Sequence, residues 1–407
     1  ISGNGVTSET ATGLTPSTLY YLKMRAINAA GASDFSMIRI VSTTAIGGPA
    51  AINLDISLLP QYRTPTDPPG QLRIQATGGT GSLSVKLFHR KNTEHDFVQE
   101  PVLLQGNSYS ILMGQDWADE FGMQYYFEVT DLAGQVKRSA EPTAPHSMPI
   151  KLGGLTIPLD RFGKDIQNYQ IISIPYQLSA NRISDLLEPI KGLGAYNKKN
   201  WRLVRYEDGV NVDYLDGLSV SPFQAGKAYW FISRNPVELN LGPAIAPDYS
   251  ATKPFTVSLK KGWNQIGNPF PFDLSWNEVL AANGSPQGVS NLQLFNPLTV
   301  SFEDADVLRK FSGGFVYLDA DYKFTFPVTL SRKGSRTQVT DNYQAEAGEW
   351  KLPITLQQGD AKSAQAGIGM HHLAQTGWDR LDRPSPPGLF PVAELVTHQS
   401  GLDLNQS

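Results

Sequence analysis

The sequence predicts an all-β protein of tandem β-sandwich modules, followed by a duplicated β-rich unit that contains one short helix per repeat. Three observations support this fold class. The 407 residues include 37 Gly and 28 Pro, which disfavour long helices and favour short elements joined by turns. Several segments alternate apolar and polar residues with the period of a half-buried strand. Finally, one segment occurs twice at an offset of 94 positions.

The composition excludes several functional classes. Lys and Arg total 34 against 38 for Asp and Glu, and the net charge of −4 provides no basic surface for nucleic acid. The absence of cysteine excludes disulfides, thiol nucleophiles and Cys-ligated metals. Because the sequence has no stretch of 18 consecutive apolar residues, we expect no membrane span.

Linkers, repeats and changes in pattern divide the chain into regions. We expect five of them, with the following boundaries: 1–46, 50–148, 150–250, 251–345 and 346–407.

The first region contains one strand with an apolar face. Tyr20, Leu22 and Met24 alternate with residues that are mostly polar, and the turn-forming residues 28–31 follow. Tyr20 also has the spacing of a tyrosine corner, in which the phenol hydrogen-bonds to nearby backbone. Residues 10–46 thus resemble the C-terminal half of a fibronectin type III domain.

That resemblance implies an incomplete sandwich. A fibronectin-like core needs about seven strands, so the N-terminal half-domain is expected to pack on upstream sequence or on a neighbouring chain. The residues of its inward face are Leu14, Tyr20, Leu22 and Met24.

The second region begins after the linker IGGPA and contains strands separated by Gly, Asn and Asp turns. Asp131 lies in a DLAG segment and is interpreted as a turn residue. The region resembles the fibronectin-like or immunoglobulin-like modules of bacterial secreted proteins, which implies a β-sandwich over 50–148. Its inward-facing residues are predicted to be Val85, Leu87, Phe127 and Val129.

The duplication covers residues 150 to about 345. YQIISIPYQL aligns with WNQIGNPFPF, so that Tyr169 matches Trp263 and Ile172 matches Ile266. Further on, AGKAYWFISR matches SGGFVYLDAD at an offset of about 88, because surface loops tolerate changes in length. We therefore expect strand, short helix, strand pair and hairpin in each copy.

Each copy has signals for a short helix. Asn181 and Ser275 are predicted N-caps, and Ser275 with Glu278 has the spacing of a capping box. Gly284 is placed to end the second helix.

The motif GWNQIGNPF resembles a signature of large secreted bacterial proteins that use the type IX secretion route. The tail of the chain, expected to be a strand and a loop extension over 346–407, is similar to the segment that follows the motif in those proteins. The resemblance implies an extracellular or cell-surface location, and the module has no established chemistry.

Two histidines near the C-terminus are candidate metal ligands. His371 and His372 precede Asp379 and Asp382 in MHHLAQTGWDRLD. Adjacent residues of a strand point to opposite faces, however, so the two imidazoles are not expected to share a metal. We predict a polar loop and no metal site here.

Two pairs of alternating carboxylates offer oxygen ligands for a hard cation. They are Asp304 with Asp306 and Asp319 with Asp321. Neither pair continues into a DxDxDG loop, and the second pair lies where a hairpin turn is needed. Solvated turns are the favoured interpretation, and calcium stays the alternative.

The sequence contains no GxSxG elbow, no GxxxxGK[ST] loop and no strand-borne GxGxxG. We therefore expect no enzymatic activity and no cofactor. Glycoside hydrolysis needs only two separated carboxylates, and the sequence alone does not pair them.

Aromatic residues of the duplicated region are the remaining ligand candidates. Trp201 and Trp230 are predicted as sugar-stacking residues, because indole rings combine an apolar face with a polar edge. Tyr229 and Trp263 are expected in the core instead.

Together these patterns predict a non-catalytic structural, adhesion or assembly segment of a large secreted or cell-surface bacterial protein. The expected partner is a glycan or a protein at the cell surface. The alternative is a carbohydrate-binding accessory module of a secreted enzyme whose catalytic domain lies outside this segment.

Overall fold

A computed structural model describes residues 10–43, 50–64, 70–328, 349–358, 361–372, 374 and 386–389. The protein is all-β, as predicted: strands account for 44% of it and helices for 7%. In the described residues, no helix is both long and apolar enough to cross a bilayer.

The N-terminal region contains four short strands, β1 (Leu19–Leu22), β2 (Ile27–Asn28), β3 (Gly31–Ala32) and β4 (Arg39–Ser42). β1 pairs with β4, and β2 forms a hairpin with β3. The Tyr20 hydroxyl accepts a hydrogen bond from the Thr15 amide at 2.6 Å. The hydrogen bond expected of a tyrosine corner is thus present.

A second group of strands forms a sandwich-like unit. Its strands are β5 (Asn53–Asp55), β6 (Gln71–Thr77), β7 (Ser84–Lys91), β8 (Val98–Gln105), β9 (Ser108–Leu112), β10 (Gly122–Thr130), β11 (Val136–Arg138) and β12 (His146–Pro149). Their order is β11-β10-β7-β8-β9-β6-β5, with β12 also paired to β10. The first half of β8 pairs with β7 and its last residues pair with β9, so β8 joins the two layers.

The core of this unit confirms the predicted strand orientation. Val85, Leu87, Phe127 and Val129 are all buried in it. Asp131 acts as a turn residue, because its carboxylate accepts hydrogen bonds from the Gln135 and Thr80 amides at 2.8 Å each.

The first copy of the repeat contains ten elements. They are β13 (Lys151–Leu152), β14 (Thr156–Ile157), β15 (Gln170–Ser173), β16 (Gln177–Leu178), α1 (Ile183–Leu187), β17 (Trp201–Glu207), β18 (Val210–Asp213), β19 (Ala228–Ser233), β20 (Leu239–Asn240) and β21 (Ala244–Ile245). Short 3-10 turns cover Ile166–Asn168, Tyr214–Asp216 and Leu218–Val220.

The described part of the second copy, residues 251–328, contains nine elements. They are β22 (Phe255–Leu259), β23 (Gly262–Gly267), β24 (Leu274–Ser275), α2 (Trp276–Ala282), β25 (Leu292–Asn296), β26 (Ser301–Ala305), β27 (Val307–Leu308), β28 (Gly313–Leu318) and β29 (Tyr322–Phe326).

The two copies share one sheet topology. The first has the order β15-β19-β17-β18 and the second has β23-β28-β25-β26. Along the chain, one short helix lies between β15 and β17 in the first copy and between β23 and β25 in the second. Ile172 pairs with Tyr229, and its counterpart Ile266 pairs with Gly314. The final strands are therefore related by 85 positions, and the predicted offset of about 88 is wrong by three.

The helix signals were correct in the second copy only. Ser275 caps α2 by accepting from the Glu278 amide at 3.4 Å, and Gly284, with φ +75°, follows the helix end. In the first copy, α1 begins after Arg182 without a side-chain cap, so the prediction of Asn181 as N-cap is wrong.

The C-terminal described residues form one hairpin of β30 (Trp350–Gln358) and β31 (Ala361–Met370). A strand and a loop extension were expected over 346–407, but residues 361–370, a segment rich in small residues, form the second strand. Backbone pairing with β30 thus overrides the weak strand propensity of Ala and Gly.

Candidate functional site

The two predicted stacking residues do not lie on the surface. Trp201 is 1% exposed and Trp230 is 2% exposed. The Trp201 ring packs edge-on against Tyr196 and Tyr214, with both ring centroids at 4.9 Å. Because neither indole offers a face to solvent, the prediction that these residues stack on a sugar is wrong.

Trp230 is buried because the first-copy sheet is covered on both faces. Tyr229 and Phe231 point into the core of the first copy, as expected for Tyr229. Trp230 points the other way, towards the second copy, and packs on Phe295 with a centroid distance of 5.1 Å. The predicted core position of Trp263 is also supported, since its side chain packs partly buried against the same cluster.

The contact between the copies is nearly two-fold symmetric. The Ser173 amide donates to the Phe311 carbonyl, and the Gly267 amide donates to the Gly226 carbonyl, both at 2.9 Å. Ser173 corresponds to Gly267 by the offset of 94, and Gly226 corresponds to Phe311 by the offset of 85. Equivalent surfaces therefore meet, as in an isologous dimer interface.

Two glycines permit this close approach of the sheets. A Cβ on Gly267 would overlap the Lys227 carbonyl and lie 2.7 Å from the Ser173 Cβ. A Cβ on Gly313 would overlap the Ala228 Cβ. Gly267, the second glycine of the motif GWNQIGNPF, is thus required by contact with the first copy.

Asn268, the next residue of the motif, organises the turn that follows β23. It is fully buried, and its amide group donates to the Phe272 and Leu308 carbonyls at 2.7 and 2.9 Å. Its Oδ1 accepts from the Phe270 amide at 2.9 Å. One side chain therefore satisfies three buried backbone groups.

A polar cluster covers one end of the first-copy sheet. Asp213 accepts hydrogen bonds from the Tyr196 hydroxyl at 2.6 Å and from Arg202 at 2.9 Å, and it lies 3.5 Å from the Lys198 ammonium. Burial acts to raise the pKa of Asp213, but these donors and cations outweigh it and hold the pKa below its usual range. The carboxylate is therefore ionised and occupied by structural partners.

Polar contacts also cross between the copies. Gln265 accepts from the Tyr206 amide at 2.7 Å, and the Lys260 ammonium lies 2.6 Å from Asp208. Hydrogen bonding to Lys260 lowers the pKa of Asp208. These contacts fix the register of one sheet on the other.

The sandwich-like unit packs on the segment that joins the copies. Arg90 donates to Gln124 in its own unit and to Thr252 at 3.2 Å. The Asn92 side-chain amide donates to the Tyr249 carbonyl, and the Asn92 backbone carbonyl accepts from the Ala251 amide.

An aromatic contact reinforces this junction. The Phe121 ring lies edge-on to Phe270 and Phe272 at 5.4 and 5.3 Å. Phe121 therefore belongs to the core of the second copy although it precedes β10 of the sandwich-like unit.

The predicted carboxylate pairs are engaged by neighbouring groups. Asp304 accepts from the Asn291 amide at 3.0 Å. Asp319 and Asp321 lie in the β28–β29 turn, as favoured, where Tyr322 donates to Asp319 and the Lys261 amide donates to Asp321. These hydrogen bonds support the turn interpretation for Asp319 and Asp321. Asp304 instead lies within β26 and pairs with Gln293, so the turn interpretation is wrong for that residue.

The two histidines, by contrast, lie side by side. Their ring centroids are 4.6 Å apart and nearly parallel, because β31 ends at Met370 and the alternation of a strand no longer applies. The carboxylate of Glu349 contacts both: it lies 3.7 Å from His371 Nε2 and within hydrogen-bonding distance of His372 Nδ1. The reason given for excluding a shared metal is therefore wrong.

Glu349 is a residue that the sequence analysis missed. The signal was the hairpin itself, because a strand starting at Trp350 and a partner ending at Met370 place their flanking residues together. Asp379 and Asp382, the predicted companions of the histidines, lie outside the described residues.

An apolar surface remains uncovered at the N-terminal strands. Leu14, Leu22 and Met24 are 37%, 44% and 67% exposed. This is the surface for which a covering partner was expected.

No protein-family model and no curated protein matches this chain. Among matching solved structures is an adhesin described by the words "Ca2+-stabilized adhesin helps an Antarctic bacterium reach out and bind ice". The match covers 87% of this chain and 80% of that chain at 9% identity, with a TM-score of 0.20. A TM-score this low does not indicate a shared fold.

Proposed function

We propose that this chain is a non-catalytic structural and assembly segment of a secreted or cell-surface bacterial protein. In this role, residues 50–64 and 70–328 form a rigid body and the N-terminal strands provide a contact surface. The observation that carries the proposal is the sharing of side chains between successive units. Phe121 completes the core of the second copy, and Trp230 of the first copy packs against Phe295 of the second.

Shared cores of this kind restrict the motion between units. Domains joined by small polar interfaces move relative to one another, whereas large apolar interfaces hold them together. Here Arg90 and Asn92 of the sandwich-like unit form hydrogen bonds with the segment that connects the copies. A body held in this way transmits position and force along the chain, which suits a spacer.

The tryptophans provide no support for the glycan-binding alternative. Trp201 and Trp230, the residues chosen for it, are both buried. These two indole rings are used for packing instead.

The N-terminal strands supply the assembly surface, with a second copy of the chain as the partner. A two-stranded sheet is marginal by itself, and in the described residues β1 and β4 form such a sheet. Identical edge strands pair antiparallel about a two-fold axis and bring like apolar side chains together.

Calorimetry and hydrogen exchange test the rigid body. We expect β7, β19 and β28 to exchange with one common unfolding free energy. Phe121→Ala, which cuts the contact with Phe270, is expected to separate the sandwich-like unit as an earlier transition. Phe35→Ala, at a half-exposed ring, serves as the control. Three independent transitions in the wild type would contradict the proposal, as would turnover of glycan, ester or peptide substrates.

Sedimentation velocity tests the assembly surface. We expect the wild type to self-associate with rising concentration and Leu22→Lys, at a side chain that is 44% exposed, to remain monomeric. Leu298→Lys, at a side chain that is 92% exposed, changes charge equally and is expected to behave as the wild type. A wild type that stays monomeric at every concentration would rule out this partner.

A further inference from the structure

The open end of the C-terminal hairpin brings three metal-binding side chains together. β30 pairs with β31 so that Trp350 lies opposite Met370. Glu349 precedes this pair on one strand and His371 follows it on the other, with His372 next in the chain. The candidate ligand atoms of the three side chains all lie within 4.8 Å of one another.

We propose that Glu349, His371 and His372 bind one divalent transition-metal ion, with Zn²⁺ as the best fit. In a tetrahedral zinc site with bonds of about 2.0 to 2.2 Å, the ligand atoms are about 3.3 Å apart. We expect rotation of the side chains to bring the three atoms to that spacing. Three protein ligands leave the fourth position for water.

The three side chains already lie against one another. The Glu349 side chain is only 6% exposed and its carboxylate contacts both imidazoles. The two imidazole rings lie 4.6 Å apart and nearly parallel. Little rearrangement is therefore needed for all three side chains to face one ion.

The ligand set also selects the kind of ion. Calcium and magnesium prefer six or more oxygen ligands, whereas this cluster offers one carboxylate and two nitrogens. Imidazole ligands suit zinc, copper and nickel. The site is therefore distinct from the oxygen-rich calcium site considered at the aspartate pairs.

Metal binding at this position would link the two chain segments at the open end of the hairpin. The ligands lie on both chain segments at its open end, so an ion bound to all three links the start of β30 to the end of β31. Since an ion that binds only the folded state stabilises it by RT ln(1 + c/Kd), where c is the concentration of the free ion, the metal would hold β30 against β31.

Zinc titration of the full chain tests the site. After treatment with a chelator, the wild type is expected to bind one Zn²⁺ per chain in competition with a chromogenic indicator. Glu349→Gln, which keeps the shape and removes the charge, is expected to weaken binding at least tenfold. His371→Ala/His372→Ala is expected to abolish it. Co²⁺ bound to the wild type is expected to show the visible absorption of a tetrahedral site.

Controls separate this site from the other imidazoles of the chain and from loss of folding. His95→Ala removes an exposed imidazole elsewhere and is expected to leave zinc affinity unchanged. Zinc is expected to slow amide exchange in β30 and β31 of the wild type, with no such effect in Glu349→Gln. The proposal is overturned if the wild type binds no zinc at micromolar concentration, or if it binds no more tightly than the double variant.

Discussion

The two copies of the repeat have the same sheet order but differ at the centre of their contact. Where the first copy has Ser173 and Ile174, the second has Gly267 and Asn268. Ile174 is buried among apolar side chains, whereas Asn268 is buried among backbone groups. The same position therefore serves apolar packing in one copy and hydrogen bonding in the other.

This difference shows why the GWNQIGNPF motif is complete in one copy only. The sheets approach so closely that the Gly267 position has no space for a side chain, because a Cβ there would overlap the Lys227 carbonyl and lie 2.7 Å from the Ser173 Cβ. Both obstacles belong to the first copy. The motif is thus a property of the pair of copies.

The largest expected effect comes from removing the ring that joins the copies. Trp230→Ala would leave a cavity beside Phe295 and lower the free energy of unfolding by about 3 to 5 kcal/mol. Trp350→Ala, at a ring that is 46% exposed, is the matched control, with an expected change within about 0.5 kcal/mol. Denaturant titration measures both, and equal effects would contradict the buried role of Trp230.

Exchanging residues between the copies tests the difference between Ile174 and Asn268. Asn268→Ile puts the first-copy residue into the second copy and leaves three buried backbone groups without partners. At about 1 to 3 kcal/mol for each such group, partial relaxation gives an expected loss of about 3 kcal/mol. Asn235→Ile, at an exposed asparagine, controls for the change in residue type. An unchanged unfolding midpoint for Asn268→Ile would contradict the assigned role.

The glycine exchange is expected to cost somewhat less. Gly267→Ser forces the two sheets apart, and overpacking of this kind costs about 1 to 3 kcal/mol. Gly153→Ser, where a Cβ would meet nothing within 4 Å, is expected to be nearly neutral. The reverse change Ser173→Gly removes the hydrogen bond to the Ser312 carbonyl, at a cost of about 1 kcal/mol. Thermal unfolding of the three variants gives the ranking.

The smallest effect concerns acid stability of the first copy. Because the folded-state pKa of Asp213 is lowered, its ionised form contributes stability above the unfolded pKa of about 3.9. That contribution is lost as the pH falls through the lower, folded-state pKa. We expect Asp213→Asn to cost about 1 kcal/mol at pH 7 and progressively less as the pH falls below about 3.9. A difference that is independent of pH would contradict the assignment.

Much of the fold could be predicted from local pattern. Alternation identified the strand with Val85 and Leu87, and spacing predicted the hydrogen bond of Tyr20. The duplication was visible because Ile172 and Ile266 occupy the same position in equivalent strands. These features depend on residues that are close in sequence or related by a fixed offset.

The missed features depend on contacts that no local pattern reports. Trp230 has the alternation of an outward-facing residue, and it is buried only because a second sheet covers that face. The histidines were assigned to opposite faces because the strand was assumed to continue, whereas it ends at Met370. Glu349 approaches His371 only through the pairing of β30 with β31.

The pseudo-two-fold contact between the copies also has a consequence for handling the protein. A surface that recognises its counterpart within one molecule fits the same counterpart in another, so two chains can exchange halves at little energetic cost. Such an exchange would require the segment between the two copies to extend. That segment is held in place by the hydrogen bond from Asn92 to the Tyr249 carbonyl. The sandwich-like unit is thus expected to oppose the formation of intertwined dimers. Weakening its contact with the connecting segment is expected to favour such dimers at high concentration.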